Sequence, residues 1–129
     1  MPLLRKVDAV VLAVPSLEVG IAFYGDRLGH RLLWRNDAAG QAGLGLPDSD
    51  TELVLSTRVP SETDWLVDDV DQAVAGFCAA GGTVVQPPVP IPVGRVAVVQ
   101  DPFGNDVTLV DLSAGRYRTD ATGSVNGHD

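Results

Sequence analysis

One cysteine, one methionine and two histidines stand in a chain of 129 residues, and aromatic side chains make up only 5% of it. A lone Cys78 excludes an intrachain disulfide, so no oxidising compartment is required and a cytoplasmic location is the default expectation. Lys and Arg are also scarce, 9 against 17 acidic residues, which leaves a net charge of −8. Without a basic stripe to neutralise phosphates, nucleic acid is not an expected partner. The acidity reads first as solubility and second as a preference for cationic partners. The apolar runs are short and broken by Pro, Gly or charge, so no membrane span is expected. Arg5-Lys6 before an apolar stretch imitates a signal peptide, but no small-residue cleavage site follows and the stretch has the length of a strand. A phosphate-cradling loop is missing too: Gly40 to Gly45 lacks the preceding strand and following helix that such a loop needs.

What is present is a hydrophobic content of 45%, enough for one compact domain, and an internal repeat. Val14-Pro15-Ser16-Leu17-Glu18-Val19-Gly20-Ile21-Ala22 is similar to Val67-Asp68-Asp69-Val70-Asp71-Gln72-Ala73-Val74-Ala75, at an offset of 53 residues. The same offset pairs Gly29 with Gly82 and Leu32 with Val85. Self-similarity of this kind governs the fold assignment.

The first copy, about 6–58, predicts a strand over Lys6 to Val14, an N-cap at Ser16 and a helix with Leu17, Ile21, Tyr24 and Leu28 on one stripe, stopped by Gly29. Strands follow over Arg31 to Arg35, weakly within Asn36 to Gly45, and over Thr51 to Thr57 after a turn at Pro47-Asp48-Ser49-Asp50. The second copy, about 61–112, repeats this: a strand over Thr63 to Val67, a capped start at Asp69 with Gln72, a helical stripe of Val70, Val74, Phe77 and Cys78, and a stop at Gly81-Gly82. Cys78 on that stripe reads as an inert core thiol. Thr83 to Gln86 is expected as a strand and Pro87 to Pro92 as an extended loop. Arg95 to Gln100 and Asn105 to Asp111 are strands joined by the turn Asp101-Pro102-Phe103-Gly104-Asn105. The polar tail, 113–129, is expected to be mobile. The fold class is therefore α+β: two tandem βαβββ modules in one domain spanning 1–112, with helices outside and a concave sheet trough that suits a small molecule.

Three stretches carry a family resemblance: Val14-Pro15-Ser16-Leu17-Glu18 with Phe23-Tyr24 and Leu28-Gly29, then Asp68-Asp69-Val70-Asp71, then Asp101-Pro102-Phe103-Gly104-Asn105. In order and spacing they resemble the motifs of the vicinal-oxygen-chelate superfamily, the glyoxalase/bleomycin-resistance/dioxygenase group. The resemblance implies paired βαβββ modules, usual assembly as a homodimer and, in many members, a divalent metal in the trough held by His, Gln or Glu from the first and last strands of each module. Carried onto this chain, those positions are Ala9, Glu62, Val54 and Thr108. Ala and Val cannot ligate a metal and Thr is a poor ligand, so Glu62 stands alone and no metal or other cofactor is expected. His30 reads as a half-exposed structural side chain and His128 as a solvent-facing one.

Counting by twos from the ligand positions gives the trough-facing residues as Ala9, Val11 and Ala13; Glu52, Val54 and Ser56; Glu62, Asp64 and Leu66; and Asp106, Thr108 and Val110. Glu52 and Asp106 lie near strand ends and are the rim candidates. Arg95 is the nearest basic partner for this acidic set. Trp65 is expected beneath the helix, and Trp34 is left open between the two faces. The candidate ligand-binding set is therefore Trp34, Glu52, Glu62, Asp64, Arg95, Asp106 and Thr108. Two readings follow: a metal-independent protein that sequesters a small, cationic compound, or a metal-free isomerase, lyase or cyclase in which close carboxylates shift one another's pKa and act as acid and base. A metal-dependent lyase or dioxygenase is disfavoured by the missing ligands.

Overall fold

The computed structural model describes residues 2–114 and, as backbone, residues 117–119 and 125–128. The chain divides into two compact units, one built mainly on Ala9–Glu62 and the other on Thr63–Arg116 with Met1–Asp8. The α+β class and the paired βαβββ modules are as the repeat implies.

In the first unit, β1 (Lys6–Ala13) leads to a helix, α1 (Leu17–Ile21), and then to β2 (Leu32–Asn36), β3 (Gln41–Leu46) and β4 (Ser49–Ser56). The strand order is β2-β3-β4-β1, with β1 and β4 parallel and the other neighbours antiparallel. The β3–β4 hairpin turns on Pro47-Asp48 alone, because Leu46 already pairs with Ser49. Leu17 from the helix packs on Ala42, Leu44, Leu53 and Leu55, with Leu12 and Val14 at the margin. Alternation along each strand puts these residues on one sheet face and leaves Ala9, Val11 and Val54 on the other.

The second unit repeats the plan: β5 (Glu62–Leu66), α2 (Val70–Ala79), β6 (Thr83–Ile91), β7 (Gly94–Gln100) and β8 (Asp106–Asp111), in the order β5-β8-β7-β6. Val70, Ala73 and Val74 of α2 pack on Val67, Ala97, Val99 and Leu109, with Trp65, Phe77 and Cys78 partly buried against them. Trp65 is thus core, as expected. The repeat holds at the level of strand register. Val11 pairs with Val54 as Asp64 pairs with Thr108. The N–H of Val14 donates to Ser56 O as that of Val67 donates to Val110 O, both at 2.9 Å. Ser16 and Asp69 cap the two helices, accepting from the N–H groups of Val19 and Gln72.

Three expectations need correction. The first helix is α-helical only to Ile21 and continues as a π-helical turn over Ala22–Arg27, in which the Leu28 N–H reaches back to Phe23 O. A π turn carries more residues per turn than an α turn, so the apolar stripe slips and Leu28, expected inside, is 53% exposed. The extra residue also shifts the repeat: the stop glycines with positive φ are Gly29 and Gly81, not Gly29 and Gly82. Pro87 to Pro92 is not a loop through most of its length. It lies largely in β6, where Val89, Pro90 and Ile91 pair with Val96, Arg95 and Gly94. β6 is the outer strand of its unit's order, and an outer strand tolerates residues without an N–H. Of the tail expected to be mobile, residues 115, 116, 120–124 and 129 lie outside the described residues, as does the side chain of His128; 117–119 (β9) and 125–128 (β10) pair with each other.

A buried carboxylate ties the second unit together. Asp111, 1% exposed, accepts from the N–H of Val70 at 2.8 Å, of Arg95 at 3.0 Å and of Ser113 at 3.2 Å, and from Ser113 Oγ at 2.7 Å. It therefore joins the start of α2 to β7 and β8. Burial pushes its pKa up, but the donors outweigh burial and hold it below the usual carboxylate value. We predict that Asp111→Ala costs about 2–4 kcal/mol in denaturant unfolding at pH 7, since the buried N–H of Val70 and the half-buried N–H of Arg95 lose their acceptor. A depressed folded-state pKa stabilises above the unfolded value, near about 4, and this stabilisation is lost as pH falls through the folded value. The gap between wild type and variant should accordingly narrow below about pH 4; a gap independent of pH would refute the assignment.

Candidate functional site

Each unit presents one sheet face away from its helix, and the candidate residues divide between these faces. In the first unit Ala9, Val11, Val54 and Trp34 form a buried cluster distinct from the core beneath α1, with Leu33 against it. This decides the position of Trp34: it lies on the helix-free face and is 8% exposed. Its indole Nε1 donates to Glu52 Oε1 at 2.6 Å. Glu52 is the register partner of Ala9 on the adjacent first strand, and its carboxylate meets the indole over Gly43 of β3. Glu52 is half-buried, rather than a solvated rim charge.

The floor under the indole is Gly43. It pairs with Trp34 on one side and with Val54 on the other. A Cβ at this position would collide with Nε1 and Cε2 of Trp34 and lie 2.8 Å from Glu52 Oε1. The absence of a side chain on β3 lets the indole cross from β2 toward β4 and reach its acceptor. The sequence reasoning missed this pairing. The available signal was Gly43 standing between the strand of Trp34 and the strand of Glu52.

In the second unit Asp64 pairs with Thr108, and Leu66 with Val110. Thr108 also faces Val98, and Val110 faces Val96. This helix-free face therefore carries Asp64 and Thr108, both half-buried, beside Leu66 and Val110, both buried. Glu62 is half-buried at the start of β5, two residues before Asp64. Asp106 is exposed at the start of β8 and accepts from Gln100 Nε2 at 3.1 Å, which makes it a rim residue.

Arg95 does not join this set. Its register partner is Asp111, on the helix side of the sheet. Its Nε lies 3.3 Å from Asp71 Oδ2 of α2, and its Nη2 is 3.4 Å from Pro88 O. Strand alternation separates it from Asp64 and Thr108: Val96 and Val98 take the face that Arg95 was expected to share. His30 is half-buried, with Nδ1 3.0 Å from Gly45 O, in keeping with a structural role. The closing turn is held by Asp101, which accepts from Phe103 N–H at 2.8 Å and from Asn105 N–H at 2.9 Å and Nδ2 at 2.8 Å. Hydrogen bonds from Asn105 dominate in holding its pKa low, a structural role within the turn.

The donor chemistry does not fit a divalent metal. Ala9 and Val54 present hydrocarbon in a buried apolar cluster, and among the described residues no three His, Cys, Asp or Glu side chains are grouped as a metal ion requires.

Comparison with known proteins bears on this geometry. The family model described as Glyoxalase/Bleomycin resistance protein/Dioxygenase superfamily matches residues 6–109. No curated protein matches the chain significantly. Among solved structures, methylmalonyl-CoA epimerase from Mycobacterium tuberculosis is similar with a TM-score of 0.68 and 25% identity, over 86% of this chain and 90% of that one. A Streptomyces coelicolor methylmalonyl-CoA epimerase in complex with 2-nitronate-propionyl-CoA gives 0.66 and 23%, over 86% and 99%. The Mn(II)-bound glyoxalase from Novosphingobium aromaticivorans gives 0.58 and 18%, over 86% of this chain and 40% of that one.

Gly43→Ala tests the indole floor. The added Cβ should displace Trp34 and destabilise the fold by about 1–3 kcal/mol. In a Trp65→Phe background, where Trp34 is the only fluorophore of its kind, emission should move to longer wavelength and become more accessible to acrylamide. An unchanged spectrum would show that the indole does not rest on Gly43.

Proposed function

The chain belongs to the Glyoxalase/Bleomycin resistance protein/Dioxygenase superfamily, and from that premise we propose that it is a metal-independent small-molecule-binding protein that sequesters a cationic compound. The observation that carries this reading is the character of the helix-free sheet faces. The face of the first unit has buried hydrocarbon at Ala9, Val11 and Val54 with the half-buried carboxylate of Glu52, and that of the second has buried Leu66 and Val110 with the half-buried carboxylates of Glu62 and Asp64 and the hydroxyl of Thr108. Apolar surface with a few placed polar groups is what a small-molecule site requires. Acidic groups select for positive charge in the ligand.

The net charge of −8 acts in the same direction over longer range. A cationic natural product is the ligand class that combines both features, and its capture would confer resistance to it. The same reading makes the working form a cytoplasmic homodimer, supported by the single cysteine and by the assembly common in the superfamily.

A second reading is an enzyme, which the 25% identity with methylmalonyl-CoA epimerase favours; here it would work without a metal, with Glu62 and Asp64 moving a proton on a small metabolite. A metal-dependent lyase or dioxygenase would need donors that Ala9, Val54 and Thr108 do not supply.

Thermal-shift screening of cationic aromatic compounds, small acids and acyl-CoA esters, each with and without divalent metal, separates these readings. A ligand specific for the native state adds about 2.7 kcal/mol at a hundredfold excess over Kd, so a cationic binder should raise Tm by several degrees whether or not metal is present. Glu62→Gln and Asp64→Asn should each weaken that binding. Equal binding by both variants would remove the acidic face from the proposal. Turnover of the bound compound, lost in the same variants, would select the enzyme reading. Stoichiometric metal in the purified protein would overturn metal independence.

A further inference from the structure

Ala9 and Val54, the two first-module positions where the superfamily's metal-dependent members place donors, belong to one buried cluster with a large side chain. Trp34 shares their buried cluster, in which Ala9 is 5% and Val54 7% exposed. Its Nε1 lies over Gly43, the register partner of Val54, and is held by Glu52, the register partner of Ala9. The indole is thus held over β3 and tied to β4, one of the two strands that would have to supply ligands, within the cluster that also holds Ala9 of the other. The floor beneath it is Gly43, where no side chain stands in the way of the ring. A large ring seated on a glycine, and anchored by a 2.6 Å hydrogen bond to a half-buried carboxylate, is a packed arrangement in which the ring cannot swing aside without loss of that bond.

We propose that the indole of Trp34, anchored by Glu52 and seated on Gly43, plugs the first module's share of the metal site, so that this chain excludes a divalent ion by filling its place as well as by lacking ligands. This rests on the metal-independent reading above. It makes Trp34 a specificity-determining residue: the first-module face meets a ligand with an aromatic ring and a carboxylate where metal-dependent relatives meet it with a cation. Restoring donor side chains would then not restore metal binding while the indole stays.

The test is a gain of binding. Ala9→His with Val54→His supplies two donors of a kind that Zn2+ accepts. Isothermal titration with Zn2+ should show this double variant binding no more tightly than wild type. Adding Trp34→Ala should raise the Zn2+ affinity by about 10- to 100-fold, the scale at which a single supporting side chain tunes a metal site. Circular dichroism and a cooperative melt establish that each variant is folded. Should the triple variant fail to fold, Gly43→Ala in the two-histidine background displaces the indole instead of deleting it, and the same gain is expected.

Tight Zn2+ binding by the double variant with Trp34 in place overturns the proposal. Absence of a gain after the indole is removed or displaced overturns it as well. Stoichiometric metal in unaltered wild-type protein is a different outcome: it defeats the metal-independent reading itself, and is read before any variant is made.

Discussion

In each module a helix with a single apolar stripe covers a sheet of four strands, and strand alternation then settles the fate of the other face. Once Leu53 and Leu55 are committed beneath α1, Glu52, Val54 and Ser56 must point the opposite way. Once Ala97, Val99 and Leu109 are committed beneath α2, Val96, Val98 and Thr108 turn away from it. The helix-free faces inherit whatever the alternate positions carry. Here they carry hydrocarbon, a few carboxylates and one large ring.

Two carboxylates show how differently this alternation can use the same functional group. Asp111 falls on the helix side, where four hydrogen bonds to its oxygens hold it ionised in a buried position and bind α2 to its sheet. Glu52 falls on the opposite side, where it accepts from the indole of Trp34. The first is a structural clamp. The second shapes a surface, and its effect on a ligand depends on the ring that it fixes. Both gain from partial or full removal from water, which makes a hydrogen bond to a charged oxygen stronger than its exposed counterpart.

The departures from repeat symmetry have local causes. The first module takes an extra residue in the π turn over Ala22–Arg27, which rotates Leu28 outward and shifts the stop glycine. The second module accommodates Pro87, Pro88 and Pro90 in β6, where register breaks against β7 absorb residues that cannot donate. Both modules still keep the same register between first and last strands, because the helix on each sheet permits no one-residue slip.

The residues alone determined the repeat, the α+β class, the caps at Ser16 and Asp69, the core position of Trp65 and the non-ligating side chains at Ala9 and Val54. Each of these depends on local chemistry or on a periodicity of two or 3.6 residues, which a linear sequence displays. The placement of Arg95 with Asp71, the face taken by Trp34, the π turn and the Asp111 clamp depended on the tertiary structure. These turn on strand-end parity, on one added residue in a helix, or on partners up to 41 residues apart, as for Val70 and Asp111. Whether a carboxylate clamps a helix or an indole fills a binding face is set by which atoms pack beside it, and only the folded chain brings those atoms together.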